Sequence, residues 1–332
     1  MDGCARRDTI LPVTKPSEST TRLELRAATL SITVGILLLI VKFTAYALTG
    51  STAIFSDALE SVVNVMASGF ALYAVRLAHQ PADTEHPYGH GKIEFMSAGF
   101  EGGLVLIAAI VIVAKAADAL LFGRLELEQL GIGIWLMAGA MVANGATGLY
   151  LIRVGRSHGS LALEADGRHL LSDALTSVAA IAALVLIKLT GWVYADPIAA
   201  LLIAAYISHM GIGLIRRSVA GLMDEQDLED ARLLKNLLEA HIGAAGREPR
   251  ICSYHKLRHR HAGRYHWVDF HIMVPAAASV EQGHTIASAI EHEIEKVLGP
   301  GNATAHVEPC ADTACSLCRN NETTSRQPSR FK

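Results

Sequence analysis

Residues 130–152 read LGIGIWLMAGAMVANGATGLYLI, a run without a single charged side chain. A helix needs about 20 apolar residues to cross a hydrocarbon core about 30 Å thick, and this run meets that length. Five more stretches of similar character surround it, at 27–48, 52–78, 99–122, 161–189 and 197–215. Six membrane-crossing helices are the expectation. The second and fifth stretches differ from the rest because they hold Asp57, Glu60, Asp166, Arg168, His169 and Asp173 inside apolar sequence.

The composition of the chain agrees with two regimes. Of its 332 residues, 51% are hydrophobic and 18% charged, too apolar for an ordinary soluble protein. Residues 27–214 carry 22 of the 61 charged side chains, and the shorter remainder carries the other 39. A net charge of -3 and a pI near 6.6 argue against nucleic acid as a partner, since phosphate binding needs a basic excess. Five cysteines are too sparse for a disulfide scaffold, and the polar, Arg-bearing first 26 residues do not read as a cleavable signal peptide.

Loop charge sets the expected orientation. The segment before the first span, the Arg76/Lys92 loop, the Arg153/Arg156 connection and the Arg216/Arg217 exit are basic, whereas the intervening connections are not. By the positive-inside rule both termini are cytoplasmic, which an even number of spans permits. The expected division is a polar cytoplasmic segment at 1–25, a six-helix membrane domain at 26–217, a cytoplasmic domain at 218–310 and a Cys-containing polar tail at 311–332 that reads as disordered. In the soluble part, 224–240 and 281–298 have helical periodicity, while 250–258, 264–275 and 303–308 read as strands. In the second strand His266, Val268, Phe270, Ile272 and Val274 share one face, and Trp267, Asp269, His271 and Met273 the other. The order helix, strand, strand, helix, strand suits a small α+β domain.

Asp57, Glu60 and Asn64 recur at the same offsets as Asp166, His169 and Asp173, so the second and fifth spans read as counterparts in a repeat-built transporter. Glu60 and Asn64 are four apart, as are His169 and Asp173, and each pair lies on one helical face. Facing helices would converge these four on a tetrahedral N/O site for a divalent cation. An ionisable group at mid-membrane costs about 2.5–3.5 kcal/mol on insertion scales, so several together call for a function.

These motifs resemble the cation diffusion facilitator family over roughly residues 25–310. The resemblance rests on Ser56-Asp57-Ala58, the loop from Pro81 to Lys92 (PADTEHPYGHGK), the His169-x-x-x-Asp173 pair and the soluble C-terminal domain. It implies an α-helical membrane protein with six transmembrane helices and a cytoplasmic ferredoxin-like αββαβ domain. It also implies a homodimer, and a secondary active transporter, not an enzyme, that exports divalent metal in exchange for protons. Zn²⁺ is the leading candidate, with Fe²⁺, Co²⁺, Mn²⁺ and Cd²⁺ as others; no organic cofactor is implied. The expected location is the plasma (inner) membrane.

Carried over by position, the transport site is Glu60, Asn64, His169 and Asp173, with Asp57 and Asp166 as supporting groups. Glu60 and Asn64 depart from the pattern of familiar zinc members, which place His or Asp, then Asp, on the second span. Asp83, His86 and His90 correspond to a loop metal site, and Lys92 and Asp224 to a charge pair near the dimer interface. His255, His271, His284, His306 and Glu308 correspond to regulatory ligands that draw two protomers together. His259, His261 and His266 have no counterpart and read as solvated. Cys310, Cys315 and Cys318 follow closely, with Cys252 on the first strand; in a reducing compartment, three thiols and a nearby His suit Zn²⁺. The rival readings are a transport-defective metal sensor or scaffold, an intramembrane metal hydrolase and a channel. No hydrolase motif supports the second.

Overall fold

The computed structural model describes residues 18–49, 52–122, 132–192 and 194–319. It divides into two units. Of the described residues, one comprises those within 18–81 and 89–223, and the other 82–88 with 224–319.

The membrane unit is built from α1 (Glu18–Thr49), α2 (Thr52–Ala78), α3 (Ile93–Phe122), α4 (Ile132–His158), α5 (Leu161–Thr190) and α6 (Ala195–Leu222). Five of these have long apolar windows suited to crossing a membrane; α4, the sixth, begins beside undescribed residues and retains the charge-free run to Ile152. The helices outrun the apolar stretches: α1 begins well before Ala27, and α6 continues to Leu222. Polar sequence flanking a span does not end a helix whose backbone can continue into water. Leu37, Ile40, Ile107, Ile110 and Leu202 are among the large apolar side chains left on the outer surface, where lipid covers them.

Glycine allows two helix pairs to approach closely. A Cβ on Gly148 of α4 would stand 2.7 Å from the Gly167 carbonyl oxygen of α5, and one on Gly167 would stand 2.7 Å from that of Gly148. Gly102 of α3 and Gly211 of α6 face each other similarly, each Cβ meeting the other carbonyl oxygen at 3.1 Å. Small residues are the usual means of bringing membrane helices together, since lipid supplies little net apolar drive. At one end of the unit the Glu164 carboxylate accepts from Arg168 at 2.7 Å, Arg217 at 2.9 Å and Arg156 at 3.2 Å. This joins α4, α5 and α6. Three charge-assisted bonds offset the cost of removing that carboxylate from water.

The soluble unit contains α7 (Leu228–Glu239), β1 (Ser253–Ala262), β2 (Tyr265–Pro275), α8 (Val280–Leu298) and β3 (Gly301–Cys310). The sheet order is β1-β2-β3, antiparallel then parallel. Leu234 and Leu238 of α7 and Ile290 and Ile294 of α8 pack against Val268, Phe270, Ile272 and Val274 of β2. Alternation therefore places the core on the face predicted for β2. The first strand lies later than its sequence suggests, because Ile251 bridges to Ile242 instead of joining β1. β1 then continues through His261 to a hairpin turn at Gly263, whose φ of 65° suits glycine.

One extra residue between His255 and Arg258 forms a β-bulge, with Lys256 at φ 51°. The bulge reverses the side-chain alternation. His255 pairs with His271 on one face of the sheet, while His259 and His261 lie on the other with His266.

Replacing Gly167 by Leu should separate α4 from α5 and destabilise the detergent-solubilised protein by about 1–3 kcal/mol. Gly145→Ala is the control, since its nearest contact is an ordinary 3.6 Å. Equal thermal unfolding midpoints for the Gly167 variant and the unaltered chain would refute the close approach.

Candidate metal sites

The membrane site begins with Asn64 on α2, which is 8% exposed, and His169 on α5, which is 4% exposed. The Asn64 amide nitrogen donates to Asp173 Oδ2 at 2.6 Å, and its Oδ1 lies 3.1 Å from His169 Nε2. Only one amide orientation satisfies both neighbours: nitrogen toward the carboxylate and oxygen toward an Nε2–H donor. That tautomer leaves His169 Nδ1 buried without a hydrogen-bond partner among the described residues. Glu60 lies one turn before Asn64, exposed, and within electrostatic reach of His169. The four expected groups therefore lie on facing segments of α2 and α5, with direct hydrogen bonds joining three.

One turn along α2, Ser68 donates to Asp166 Oδ1 at 2.9 Å and lies 3.0 Å from the Ser31 hydroxyl. Asp166 is thus a second polar layer beneath Asn64. The Asp57 side chain lies outside the described residues. Glu101 of α3 was not singled out in the sequence. Its carboxylate is fully buried, neither oxygen has a hydrogen-bond partner among the described residues, and Asp166 and Asp173 are its electrostatic neighbours. A lone Glu at the start of an apolar run was the available signal.

In the soluble unit, Asp83 accepts from the His86 backbone N–H at 2.6 Å and from Glu85 N–H at 3.0 Å, with His86 Nδ1 at 3.2 Å. The His86 backbone bond is the largest influence holding this exposed carboxyl below its usual range. His90 lies past Gly89, in the membrane unit. Lys92 also belongs there, while Asp224 accepts from Arg260 at 3.3 Å within the soluble unit.

On the outer face of the sheet, Glu308 Oε1 lies 2.7 Å from His271 Nδ1 and Oε2 lies 3.2 Å from His255 Nε2. The His271 hydrogen bond leads the causes that hold Glu308 below the usual carboxylate range. His306 stands farther away, at 3.8 Å from Glu308 Oε1. His284 is exposed on α8 and is not brought into this group.

The thiol group gains a member. Cys252, Cys310, Cys315 and Cys318 present sulfurs all within 4.8 Å of one another, with Cys252 and Cys318 at 3.6 Å. The fourth participant is Cys252, not a histidine, because antiparallel β1 begins where parallel β3 ends. Burial pushes the Cys252 thiol upward and Cys318 to about 11. Burial also opposes ionisation of Cys315, but N–H bonds from Cys318 and Leu317 and the neighbouring thiols bring it below its usual value.

The expectation that His259, His261 and His266 are solvated is not met for the group. His259 is 4% exposed, and the three rings close on Asp230. Burial is the largest cause bringing His259 below its usual value and His266 down to about 4.

A bundle of apolar helices with carboxylates, an amide and an imidazole inside it, followed by a histidine- and cysteine-bearing soluble domain, is the architecture of an integral multi-pass protein that handles cations. Residues 28–223 match the family model described as the cation efflux transmembrane domain, and 237–310 match that of the cation efflux protein cytoplasmic domain. An uncharacterized transporter, sll1263, of Synechocystis is 38% identical over 293 residues, covering 88% of this chain and 93% of its own. Cation-efflux pump FieF of Shewanella oneidensis is 29% identical over 283 residues, covering 85% and 93%. Metal tolerance protein 2 of Oryza sativa subsp. japonica is 32% identical over 276 residues, covering 75% and 69%. The chain belongs to the cation diffusion facilitator family of cation-efflux proteins.

Glu101→Gln keeps the shape of the buried side chain and removes its capacity to ionise. The expected outcome is a thermal midpoint equal to or above that of the unaltered protein, with metal flux reduced about tenfold or more. Unchanged flux would exclude a role for Glu101 ionisation in transport.

Proposed function

We propose that the protein exports divalent metal from the cytoplasm in exchange for protons, by alternating access around Glu60, Asn64, His169 and Asp173. The observation that carries this reading is the Asn64–His169–Asp173 network between two membrane helices, with Asn64 and His169 buried. Asn64 Oδ1, His169 Nε2 and Asp173 Oδ2 already have hydrogen-bond roles, so a cation on any of these atoms must replace an existing contact. A metal on His169 Nε2 displaces the proton from that nitrogen. A metal on Asp173 displaces the Asn64 amide. Ligand deprotonation thus couples loading to proton movement, and reprotonation from the far side favours release.

The N/O donor set favours Zn²⁺, with Fe²⁺, Co²⁺, Mn²⁺ and Cd²⁺ as further candidates. On this reading the protein is a secondary active carrier in the plasma (inner) membrane with both termini cytoplasmic. Asp83, His86 and His90 are proposed as a peripheral metal site in the cytoplasmic loop. His255, His271, His284, His306 and Glu308 are proposed as ligands of regulatory metal that draws two copies together in a homodimer. Lys92 and Asp224 contribute charge near that interface. The division at residues 25, 217 and 310 is retained as the functional one.

The clustered thiols of Cys252, Cys310, Cys315 and Cys318 are proposed as a cytoplasmic Zn²⁺ site. Four sulfurs about 2.3 Å from Zn²⁺ stand about 3.8 Å apart, close to the Cys252–Cys318 separation of 3.6 Å.

In proteoliposomes with an imposed pH gradient, Asp173→Ala should abolish saturable metal-dependent flux, while Asn64→Asp should retain flux and change the order of preference among Zn²⁺, Fe²⁺, Co²⁺, Mn²⁺ and Cd²⁺. Unchanged Asp173→Ala flux would overturn this site assignment. Separately, Co²⁺ added to the reduced, metal-free protein should give a thiolate-to-cobalt charge-transfer band that Cys252→Ser weakens. The absence of that band would overturn the thiolate site.

A further inference from the structure

The inner face of the β1–β2 hairpin carries a second histidine constellation that has no part in the transport site or the Glu308 group. His261 and His266 are directly paired across the strands, and His259 lies two residues before His261 on the same face. The bulge at Lys256 separates them from His255 and His271 on the other face. Asp230 reaches the rings from the first turn of α7. That turn is fixed by Asp227, whose Oδ1 accepts from Glu229 N–H at 2.7 Å and Asp230 N–H at 3.3 Å.

The separations have the dimensions of a coordination shell. Asp230 Oδ2 lies 3.2 Å from His261 Nε2, 3.5 Å from His266 Nδ1 and 3.7 Å from His259 Nε2. His259 Nε2 and His266 Nδ1 are 3.2 Å apart. Ligands about 2.0–2.1 Å from a tetrahedral Zn²⁺ stand about 3.3 Å from one another. Hydrogen bonding alone uses this arrangement poorly. One carboxylate oxygen faces three ring nitrogens, and the His259–His266 contact accommodates one proton between two nitrogens. A cation in the centre would engage all four atoms at once.

We infer that Asp230, His259, His261 and His266 form a cytoplasmic N₃O site for a borderline divalent cation such as Zn²⁺ or Co²⁺. Three imidazoles and one carboxylate suit such ions better than Mg²⁺ or Ca²⁺, which favour oxygen donors. Occupancy links α7 to both strands of the hairpin. α7 is also the first soluble helix after α6 in the chain. The site is therefore suited to a brace whose rigidity follows cytoplasmic metal availability.

The test uses the full-length, reduced protein in nanodiscs, stripped of metal and titrated with Zn²⁺. Amide hydrogen exchange is compared between the unaltered chain, Asp230→Asn and His261→Ala; both substituted side chains are partly exposed, and His259 is left intact. At free Zn²⁺ ten times the measured dissociation constant, exchange through locally opened states of residues 228–231 and 258–267 should slow about tenfold in the unaltered chain. Each variant should lose most of this protection and one bound metal equivalent, measured by elemental analysis. Retention of the cobalt–thiolate band and of metal-free exchange rates elsewhere establishes that the variants are folded. His259→Asn provides an independent removal of a third ligand and has the same expected result. Equal metal content and equal protection in the unaltered chain and the folded variants would overturn the inference, as would Zn²⁺ protection absent from the unaltered hairpin. Transport activity is not the readout, so failure of the transport assignment leaves this test intact.

Discussion

A polar side chain inside hydrocarbon has no water to turn to, and that constraint organises the membrane unit. Asn64 meets it by presenting its amide nitrogen to Asp173 and its oxygen to His169. The same two bonds fix the facing positions of α2 and α5. Ser68 and Asp166 repeat the arrangement one turn along. Glycine carries the neighbouring packing, because Gly148 and Gly167 allow α4 to approach α5 without side-chain obstruction. Glu101 stands apart from this pattern: its buried carboxylate is unsatisfied among the described residues. A group that contributes cost without a hydrogen bond is a reasonable place to seek chemistry, provided that stability and transport are measured separately.

In the soluble unit a single inserted residue does comparable organisational work. Lys256 lets β1 change which face its following side chains occupy. Without that change, alternation would put His255, His259 and His261 together and leave His271 without its cross-strand partner. With it, His255 meets the Glu308 group while His259 and His261 meet Asp230. The sheet connections create a third gathering. β1 runs opposite to β2 and β3 runs with it, so Cys252 before β1 and Cys310 at the end of β3 arrive at one end of the sheet. Three donor groups of different chemistry therefore arise from one short sheet.

The membrane spans were legible because apolar length is a local property, and His169 and Asp173 were legible because helical spacing is local too. The β2 face was equally readable: Val268, Phe270, Ile272 and Val274 form its core side. What sequence periodicity did not expose was the interruption in β1. A Lys at positive φ has no strong residue signature, unlike the glycine at the hairpin turn. The grouping of Asp230 with three histidines depends on that interruption and on α7 packing beside the hairpin. Likewise Cys252 looked like an ordinary strand residue until the sheet topology brought it to Cys318. Glu101 was visible as a letter, but its lack of a hydrogen-bond partner among the described residues is a tertiary property.

The departure at Asn64 also bears on the charge of the proposed transport site. With Glu60 and Asp173 ionised and His169 neutral, Asn64 leaves two negative charges to meet a divalent cation. An aspartate at that position would supply a third and leave the proposed site negative even with the cation bound, increasing the incentive to retain a proton. Asn64 avoids that excess while keeping an oxygen donor and bridging the two neighbours in the metal-free state. Its neutral amide therefore does more than omit a carboxylate. It holds α2 and α5 in register and limits how much negative charge at the proposed site must be balanced by protons, linking the packing of the two helices to the exchange chemistry proposed for them.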